Sequence, residues 1–218
     1  MSLQIKNTQA MSQSLLVQQR VDALMLLLIR HGQPGPAKAS PVPSTEFLGK
    51  PLTATGLKQA QYLATRLAPL PLSHLYCSNM ARAYQTAKAT HDLRPDLPFE
   101  IRPDLQEVSS WHTPGVPAPR KAEDRQRARD EIDRVGKFAA HLRRKHKPRE
   151  IVAIVSHGDW NNLLLATLAG VPARRHLRIM QDHTSIMVVN LWPDGRLRLA
   201  MANCTRHLPA SLLGSKNI

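Results

Sequence analysis

The sequence predicts an α/β fold, a three-layer sandwich with a mainly parallel central sheet, helices on both faces and an antiparallel edge. Residues 24–29 and 151–155 are short apolar runs that end in polar residues and glycine, as expected of strands buried on both faces. Segments with helical apolar spacing separate the predicted strands, which favours parallel pairing. Near the carboxyl end, two alternating segments flank Pro193-Asp194-Gly195, a turn signal that predicts an edge hairpin.

Between the first strand and the first helix lies a loop, residues 34–51, that contains five prolines. A loop of this length is typical of a functional or disordered segment. Thr53 is the expected N-cap of the following helix. The apolar residues of that helix share one stripe: Leu57, Ala60, Leu63, Ala64 and Leu67. A second strand is expected over residues 72–77, and Ser78 is the expected cap of a helix that continues to about His91.

The second half of the chain continues the alternation. Residues 99–102 predict a short strand, and residues 109–120, with three prolines, predict an insertion or lid. Residues 122–147 predict a long helix whose Lys and Arg form a solvated face. Its expected buried face consists of Ile132, Val135, Phe138, Ala139 and Leu142. A helix from about Trp160 to Ala169 follows the strand at 151–155, and the hairpin strands are expected at 185–191 and 196–200.

Length and composition indicate one domain. A chain of 218 residues with 42% hydrophobic content can bury one core, so we expect a single α/β domain over residues 21–218. Residues 1–20 contain no acidic residue and are rich in Gln and Ser, which is typical of a flexible tail. No apolar run approaches the ~20 residues of a membrane span. Cys77 and Cys204 form no disulfide framework or metal-ligand spacing, and we expect a cytoplasmic protein.

The formal net charge of +14 at pH 7 favours an anionic ligand. A generally cationic surface without a specific partner is the alternative. Aromatic residues make up 4% of the chain and do not alternate with Arg or Lys, so a stacking platform for nucleic acid is disfavoured. We expect an anionic small molecule as the partner and no membrane. The oligomeric state stays open, with a homo-oligomer among the options.

Two His-Gly pairs follow the two buried strands. One is His31-Gly32, preceded by Arg30, and the other is His157-Gly158. Because ligands bind at the carboxyl ends of strands in open α/β sheets, both pairs are expected at one edge. Arg82 lies in the first turn of a predicted helix, where a cation opposes the helix dipole unless an anion is bound there. Together these residues predict an anion site.

Two histidines and two arginines without a nearby Cys or carboxylate ligand set suit phosphoryl transfer better than metal binding. A neutral imidazole can attack phosphorus and form a covalent phosphohistidine. Arginines stabilise the charge on the equatorial oxygens of the transition state, and a glycine after each histidine permits close approach of the backbone to phosphate. The leaving alkoxide needs a proton, for which Glu107, in a loop after the third strand, is the candidate.

These motifs resemble those of the histidine phosphatase superfamily, in its phosphoglycerate-mutase-like branch. The resemblance runs in the family's order from about residue 24 to residue 192. It rests on Arg30-His31-Gly32, on Pro51-Leu52-Thr53 with Gly56, Gln59 and Ala60, on residues 78–87, on Leu105-Gln106-Glu107 and on Ser156-His157-Gly158. The resemblance implies that His31 is the phosphorylated nucleophile and Glu107 the proton donor. It implies that Arg30, Arg82 and His157 hold the phosphoryl group, with no metal and no cofactor.

The chain departs from the family pattern at several positions. Ala37 stands where many members carry Asn, and Gln33 stands where Glu is frequent. Residues 108–111 lack the glycine often seen after the acid loop. The candidate phosphate and substrate contacts are Arg30, Gly32, Gln33, Arg82, His157, Gly158 and His183. For His183, an ordinary loop position is the alternative.

We therefore predict a metal-independent histidine acid-type phosphatase that hydrolyses a phosphorylated small molecule through a phosphohistidine. A phosphoglycerate-type phosphomutase is one alternative, because residues 109–120 could close the site. A non-catalytic phosphoanion-binding or scaffold protein is another, which the missing Asn at position 37 permits. The presence of Glu107, an acid that binding alone does not need, favours an enzyme. The substrate is not identified by the sequence.

Overall fold

A computed structural model of the chain describes residues 22–35, 47–173 and 178–213. The predicted tail, residues 1–20, lies outside the described residues. So do Ala37 and the central part of the Pro-rich loop, residues 36–46. Within the described ranges, no helix is long and apolar enough to cross a lipid bilayer.

Strands and helices alternate along the described chain. In order they are β1 (Leu24–Arg30), α1 (Ala54–Leu67), β2 (His74–Ser78), α2 (Ala81–Leu93), β3 (Phe99–Arg102), α3 (Ala122–Lys145), β4 (Ile151–Ser156), α4 (Gly158–Leu168), β5 (Ile186–Leu191) and β6 (Leu197–Cys204). The six strands form one sheet in the order β3-β2-β4-β1-β5-β6. The first four strands in this order are parallel to one another, β5 pairs antiparallel with β1, and β6 pairs antiparallel with β5. The predicted three-layer α/β architecture with an antiparallel edge is confirmed.

Both faces of the sheet are covered, which explains the uninterrupted apolar runs. Met25, Leu27 and Ile29 of β1 belong to a core cluster with residues of α1 and α2. The alternate residues Leu24, Leu26 and Leu28 belong to a second cluster with residues of α3 and α4. All six side chains are at most 4% exposed. The central strands therefore form a rigid base for the loops that follow them.

Thr53 caps α1 as predicted, because its Oγ1 accepts a hydrogen bond of 3.0 Å from the backbone N–H of Gly56. Ser78 does not cap α2, which begins three residues later with Met80 as its N-cap. The Ser78 hydroxyl instead accepts from the Met80 N–H, at 3.2 Å, within the turn that leads into the helix.

Leu57 and Ile132, predicted to be buried, are 41% and 38% exposed, because they lie at the margins of their apolar stripes.

The segment 109–120 contains one short 3₁₀ helix, Ser110–His112. His112 and Thr113 are buried, so this part of the predicted insertion packs on the domain. The hairpin turn at Pro193-Asp194-Gly195 is present, and Gly195 has a positive φ of 90°, a backbone conformation that glycine adopts without a steric cost. His183 precedes β5 and lies in the loop that enters it.

Candidate active site

Strands β1 and β4 are adjacent and parallel, with Arg30 paired to Ser156. Both therefore end at the same level of the sheet, and the residues that follow them meet. The backbone N–H of His31 donates to the carbonyl of Ser156 at 3.0 Å. The imidazole rings of His31 and His157 lie edge to face, with centroids 5.1 Å apart. The structure thus brings the two His-Gly pairs together.

The hydrogen bonds of His31 define its tautomer. Its Nδ1 lies 2.7 Å from the carbonyl oxygen of Gly32, and only a protonated Nδ1 can donate to that acceptor. Its Nε2 accepts from Nε of Arg82 at 2.9 Å and therefore carries the lone pair. Burial, together with the positive charges of Arg82 and Arg30, holds the pKa of His31 well below its ordinary value. The imidazole is neutral, with Nε2 free of a proton.

Arg82 connects the two histidines from the first turn of α2. Its Nη2 donates to Nδ1 of His157 at 3.1 Å, so the proton of His157 resides on Nε2. That nitrogen lies 3.1 Å from the hydroxyl of Ser78 at the end of β2 and donates to it. Burial first, and then the charge of Arg82, keep the pKa of His157 well below its ordinary value. His157 is consequently a second neutral imidazole, held by hydrogen bonds on both ring nitrogens.

Arg30 approaches from the end of β1 and donates from Nη1 to the carbonyl of Gln181. A Cβ added to Gly158 would lie 3.8 Å from the Arg30 side chain, an ordinary contact. A Cβ added to Gly32 would lie 2.8 Å from the carbonyl oxygen of Gly56. The missing side chain at Gly32 therefore makes room for the first turn of α1, which is a different reason from the expected approach of the backbone to phosphate.

Gln33 and His183 are the two remaining side chains predicted to contact the substrate or its phosphate. The Oε1 of Gln33 accepts from the Thr53 hydroxyl at 2.9 Å, which orients the amide toward the α1 cap. His183 is buried, and its ring centroid is 5.9 Å from that of His31. Burial and the neighbouring Arg30 lower the pKa of His183 to about 4. Among the described residues its Nε2 has no hydrogen-bond partner.

Glu107 lies next to the start of α4. Its Oε1 accepts from the backbone N–H groups of Val108 and Trp160, each at 3.1 Å. Its Oε2 lies 4.0 Å from Nδ1 of His157. Burial raises the pKa of the carboxyl to about 7, and the neighbouring Asp159 adds to the increase. Glu107 can therefore hold a proton near neutral pH.

A polar cleft of about 210 Å³ opens beside these groups. Asp159 and Arg178, 3.5 Å apart, form an ion pair in its wall. Its other polar side chains include those of Arg30, Glu107, Asn162 and His183. Within the three described ranges, no group of three or more His, Cys, Asp or Glu residues is arranged to hold a metal ion. The arrangement suits a ligand with an anionic end at the histidines and a polar body in the cleft.

Thr86 of α2 is a site residue that the sequence patterns do not predict. Its hydroxyl accepts from the Gly32 N–H at 3.0 Å and donates to the carbonyl of Arg82 at 2.7 Å, so it fixes the loop that contains His31. Thr86 lies four residues after Arg82, one helical turn away, and this spacing was the available signal. Gln181 is not predicted either, because it contacts Arg30 through its backbone carbonyl, and such a contact leaves no pattern in side-chain types.

One known protein family matches most of the chain. A model of the histidine phosphatase superfamily (branch 1) matches residues 26–205. The adenosylcobalamin/alpha-ribazole phosphatase of Escherichia coli (strain K12) is 30% identical over 164 residues, which are 64% of this chain and 78% of the relative.

Solved structures with the same fold include the alpha-ribazole phosphatase from Shigella flexneri. It is 26% identical, with a TM-score of 0.63, and the alignment covers 88% of this chain and 100% of the Shigella flexneri chain. A mycobacterial glucosyl-3-phosphoglycerate phosphatase is 21% identical, with a TM-score of 0.65 and coverage of 84% and 100%. This second likeness concerns the fold.

Proposed function

The chain belongs to the histidine phosphatase superfamily, and we propose that it hydrolyses the phosphate monoester of a small molecule through a phosphohistidine at His31. One observation carries this proposal. The hydrogen bond from Nδ1 of His31 to the Gly32 carbonyl, 2.7 Å long, leaves the Nε2 lone pair directed at the guanidinium of Arg82. A phosphoryl group bound to that guanidinium would lie next to an unprotonated, neutral nucleophile.

In this proposal the side chains of Arg30, Arg82 and His157 hold the phosphoryl group. The proton of His157 then resides on Nδ1, where it is donated to a phosphate oxygen, and the Ser78 hydroxyl donates to Nε2 in return. The two guanidiniums supply fixed positive charge to the equatorial oxygens, where the transition state accumulates negative charge. Arg82 donates to both imidazoles, and we propose that the oxygens of a bound phosphate replace these contacts. Because two guanidiniums supply the charge, the proposed reaction needs no metal ion. Gly32, Gln33, Gly158 and His183 remain proposed contacts at the margin of the phosphate.

In the first step, the Nε2 lone pair of His31 forms a bond to phosphorus while the bond from phosphorus to the ester oxygen breaks. The leaving oxygen takes the proton of Glu107, so that an alcohol departs and Glu107 becomes a carboxylate. In the second step, a water molecule attacks phosphorus as Glu107 takes up its proton. The phosphorus–nitrogen bond breaks, the lone pair returns to Nε2, and inorganic phosphate is released.

The body of the substrate lies in the cleft that contains Asp159 and Arg178. This wall presents charges of both signs, which suits a polar, uncharged body with hydroxyl or amide groups. The Escherichia coli and Shigella flexneri relatives are phosphatases named for alpha-ribazole. We therefore place the phosphate ester of alpha-ribazole first in a substrate screen, followed by other sugar phosphates.

The proposal is tested by the turnover of p-nitrophenyl phosphate and benzyl phosphate in the wild type, His31→Ala and Glu107→Gln. We expect His31→Ala to lose activity on both esters, because the variant lacks the Nε2 lone pair that attacks phosphorus in the proposed first step. Glu107→Gln is expected to lose ~10²–10⁴-fold on benzyl phosphate and far less on p-nitrophenyl phosphate, whose leaving group departs without a proton. An acid-labile, alkali-stable phosphoenzyme should be trapped in the wild type. Full activity of His31→Ala would refute the nucleophile assignment.

A further inference from the structure

The loop that contains Glu107 is held on its outer side by α3, a helix whose charged residues the sequence analysis assigned to solvent. Glu131 and Arg134 are three residues apart and therefore project from one face of α3. Arg134 contacts the chain before and at Glu107, whereas Glu131 contacts the chain after it. This face of α3 is thus in contact with both flanks of the acid.

Arg134 bonds to backbone carbonyls. Its Nη1 donates to the oxygens of Asp104 at 3.2 Å and Gln106 at 2.8 Å, and its Nη2 donates to that of Glu107 at 3.4 Å. Hydrogen bonds from a guanidinium are stronger than neutral ones because the donor is charged. Arg134 is partly buried, and burial lowers its pKa without removing its charge. One side chain therefore fixes three carbonyl groups of the acid loop.

Glu131 bonds to donors on the other flank. Its carboxylate accepts from the backbone N–H of Ser109 at 3.2 Å and from the Ser109 hydroxyl at 2.6 Å. Its Oε2 is also 2.7 Å from Nε2 of the buried His112. Burial opposes the charge, but the bonds to His112 and Ser109 hold the pKa of Glu131 below its ordinary value. The carboxylate of Glu131 therefore stays ionised and binds the residues that follow Glu107 in the sequence.

Arg134 does not act on a ligand directly. The described residues that line the cleft include Glu107 but not Arg134 or Glu131, and Arg134 borders a separate hollow with Asp104, Asp130, Asp133 and Lys137. The inner side of the loop has its own anchors, since Ser156 Oγ donates to the Leu105 carbonyl at 2.8 Å and Trp160 Nε1 to the Asp104 carbonyl at 3.0 Å. Loss of the outer contacts would loosen the loop without unfolding the domain.

We propose that Glu131 and Arg134 are positioning residues that hold the Glu107 carboxyl against the start of α4 and so determine how well it donates its proton. The inference rests on the proposed function, in which Glu107 is the general acid. A displacement of about 1 Å in a catalytic group can cost on the order of 10²-fold in rate. The cost should fall on esters whose leaving group needs a proton.

The kinetic test measures kcat/KM for benzyl phosphate and p-nitrophenyl phosphate in Arg134→Met and Glu131→Gln. Met keeps most of the length of the Arg stem without its donors. We expect Arg134→Met to lose at least ~10-fold on benzyl phosphate and little on p-nitrophenyl phosphate. The matched control is Arg143→Met, on the same helix, whose guanidinium donates to the carbonyl of Leu168 at 3.1 Å, away from the acid loop. Equal losses on both esters would overturn the positioning role.

A second measurement does not depend on activity. The backbone N–H of Trp160 lies in the first turn of α4, where helical amides lack an intrahelical acceptor, and it donates to Glu107. Its hydrogen exchange therefore reports whether the carboxyl is in place. We expect exchange in Arg134→Met to accelerate toward that of Glu107→Ala, and exchange in Arg143→Met to match the wild type. Unchanged exchange in both Arg134→Met and Glu131→Gln would overturn the proposal.

The two measurements separate this inference from the proposed function. If Glu107→Gln shows no preference between the two esters while Arg134→Met still accelerates the exchange of Trp160, the general-acid role of Glu107 is wrong and the positioning of the loop by α3 holds. If Glu107→Gln behaves as an acid variant while Arg134→Met matches Arg143→Met in both measurements, the acid role holds and the positioning role is wrong.

Discussion

At the scale of single residues, hydrogen bonds determine which atom of each group is available for chemistry. The Oε1 of Glu107 already accepts two backbone N–H groups, so a proton on this carboxyl resides on Oε2. That oxygen lies 4.0 Å from Nδ1 of His157, on the side where the phosphate is proposed to bind. In the same way, the bond between His31 and Gly32 leaves one ring nitrogen for attack. The proposed acid and the proposed nucleophile therefore each have one atom available for reaction.

The pKa of Glu107 predicts the pH dependence of the first chemical step. Burial raises that pKa to about 7, so the protonated acid is lost as the pH rises through 7. We expect kcat/KM for benzyl phosphate to fall tenfold per pH unit above this value. Because the pKa of His31 lies well below its ordinary 6.5, no loss from protonation of the nucleophile is expected as the pH falls through 6.5. The measurement is a pH profile of kcat/KM.

The control for this profile is Glu107→Gln, whose side chain does not titrate. Ionisation of the substrate contributes equally to both profiles, so the difference between them belongs to Glu107. The basic limb should be absent in Glu107→Gln. If the variant keeps the same limb at lower activity, a group other than Glu107 titrates, and the assignment of the acid is wrong.

Sequence patterns identify residues such as His31, His157 and Arg82 because each stands at a recognisable point, the end of an apolar run or the start of a helix. Thr86 and Arg134 are different, since they act on backbone N–H and carbonyl groups. Every residue has such groups, so no combination of side-chain types signals the contact. In α3, moreover, Arg134 cannot be told from its sequence position apart from the Arg and Lys residues that point to solvent. These residues are found only when the fold is known.

At the scale of elements, the loop after β1 and the first turn of α1 are in direct backbone contact. A Cβ on Gly56 would lie 2.2 Å from the carbonyl oxygen of Gln33, far inside any contact that atoms tolerate. The backbone N–H of Thr53 also donates to that carbonyl at 3.0 Å. The absence of a side chain at Gly56 therefore determines how closely α1 approaches the chain next to His31.

A pair of glycine substitutions tests this contact. Both Gly56 and Gly136 lie inside helices, but a Cβ on Gly136 meets nothing within 4 Å. Gly136→Ala should raise the free energy of unfolding by about 0.4–1 kcal/mol, because alanine has the higher helix propensity and restricts the unfolded chain. Gly56→Ala should lower it by about 1–3 kcal/mol, the usual cost of an overpacked site. Urea unfolding at neutral pH measures both values.

Gly56→Ala should also reduce kcat, because the displaced carbonyl of Gln33 lies two residues from His31, whereas Gly136→Ala should leave turnover unchanged. Equal stability changes in the two variants would show that α1 and the β1 loop move apart freely, contrary to the packing described above.

Elements differ in how far the sequence predicts them. The strands β1 and β4 are predicted because a strand buried on both faces has apolar residues at nearly every position, and such a continuous apolar run is easy to recognise. The start of α2 is mispredicted because the hydroxyl of Ser78 binds within the preceding turn and contacts His157, so a residue typical of a cap serves the site instead. The exposed Leu57 shows a related limit, since periodicity locates an apolar stripe but not its margins.

At the scale of the whole molecule, the charge of the chain and the charge of the site have the same sign. The formal net charge is +14. At the site, Glu107 offsets little of the positive charge of Arg30 and Arg82, because its carboxyl is largely protonated below pH 7. We therefore expect a phosphate dianion to be attracted first by the general field and then by the two guanidiniums. The first of these attractions is screened by salt, whereas contacts inside the site are screened much less.

This difference predicts how salt affects the kinetic constants. Between ionic strengths of ~0.02 M and ~0.5 M, the screening length falls from more than 20 Å to less than 5 Å. We expect kcat/KM for benzyl phosphate to decrease on the order of 10-fold over this range. The value of kcat should change little, because the proposed contacts of the bound phosphate with Arg30 and Arg82 are direct. Sodium chloride and sodium acetate should give one curve when kcat/KM is plotted against ionic strength. Separate curves would instead indicate competition by the anions for the phosphate position, and a flat profile would show that the net charge does not attract the substrate.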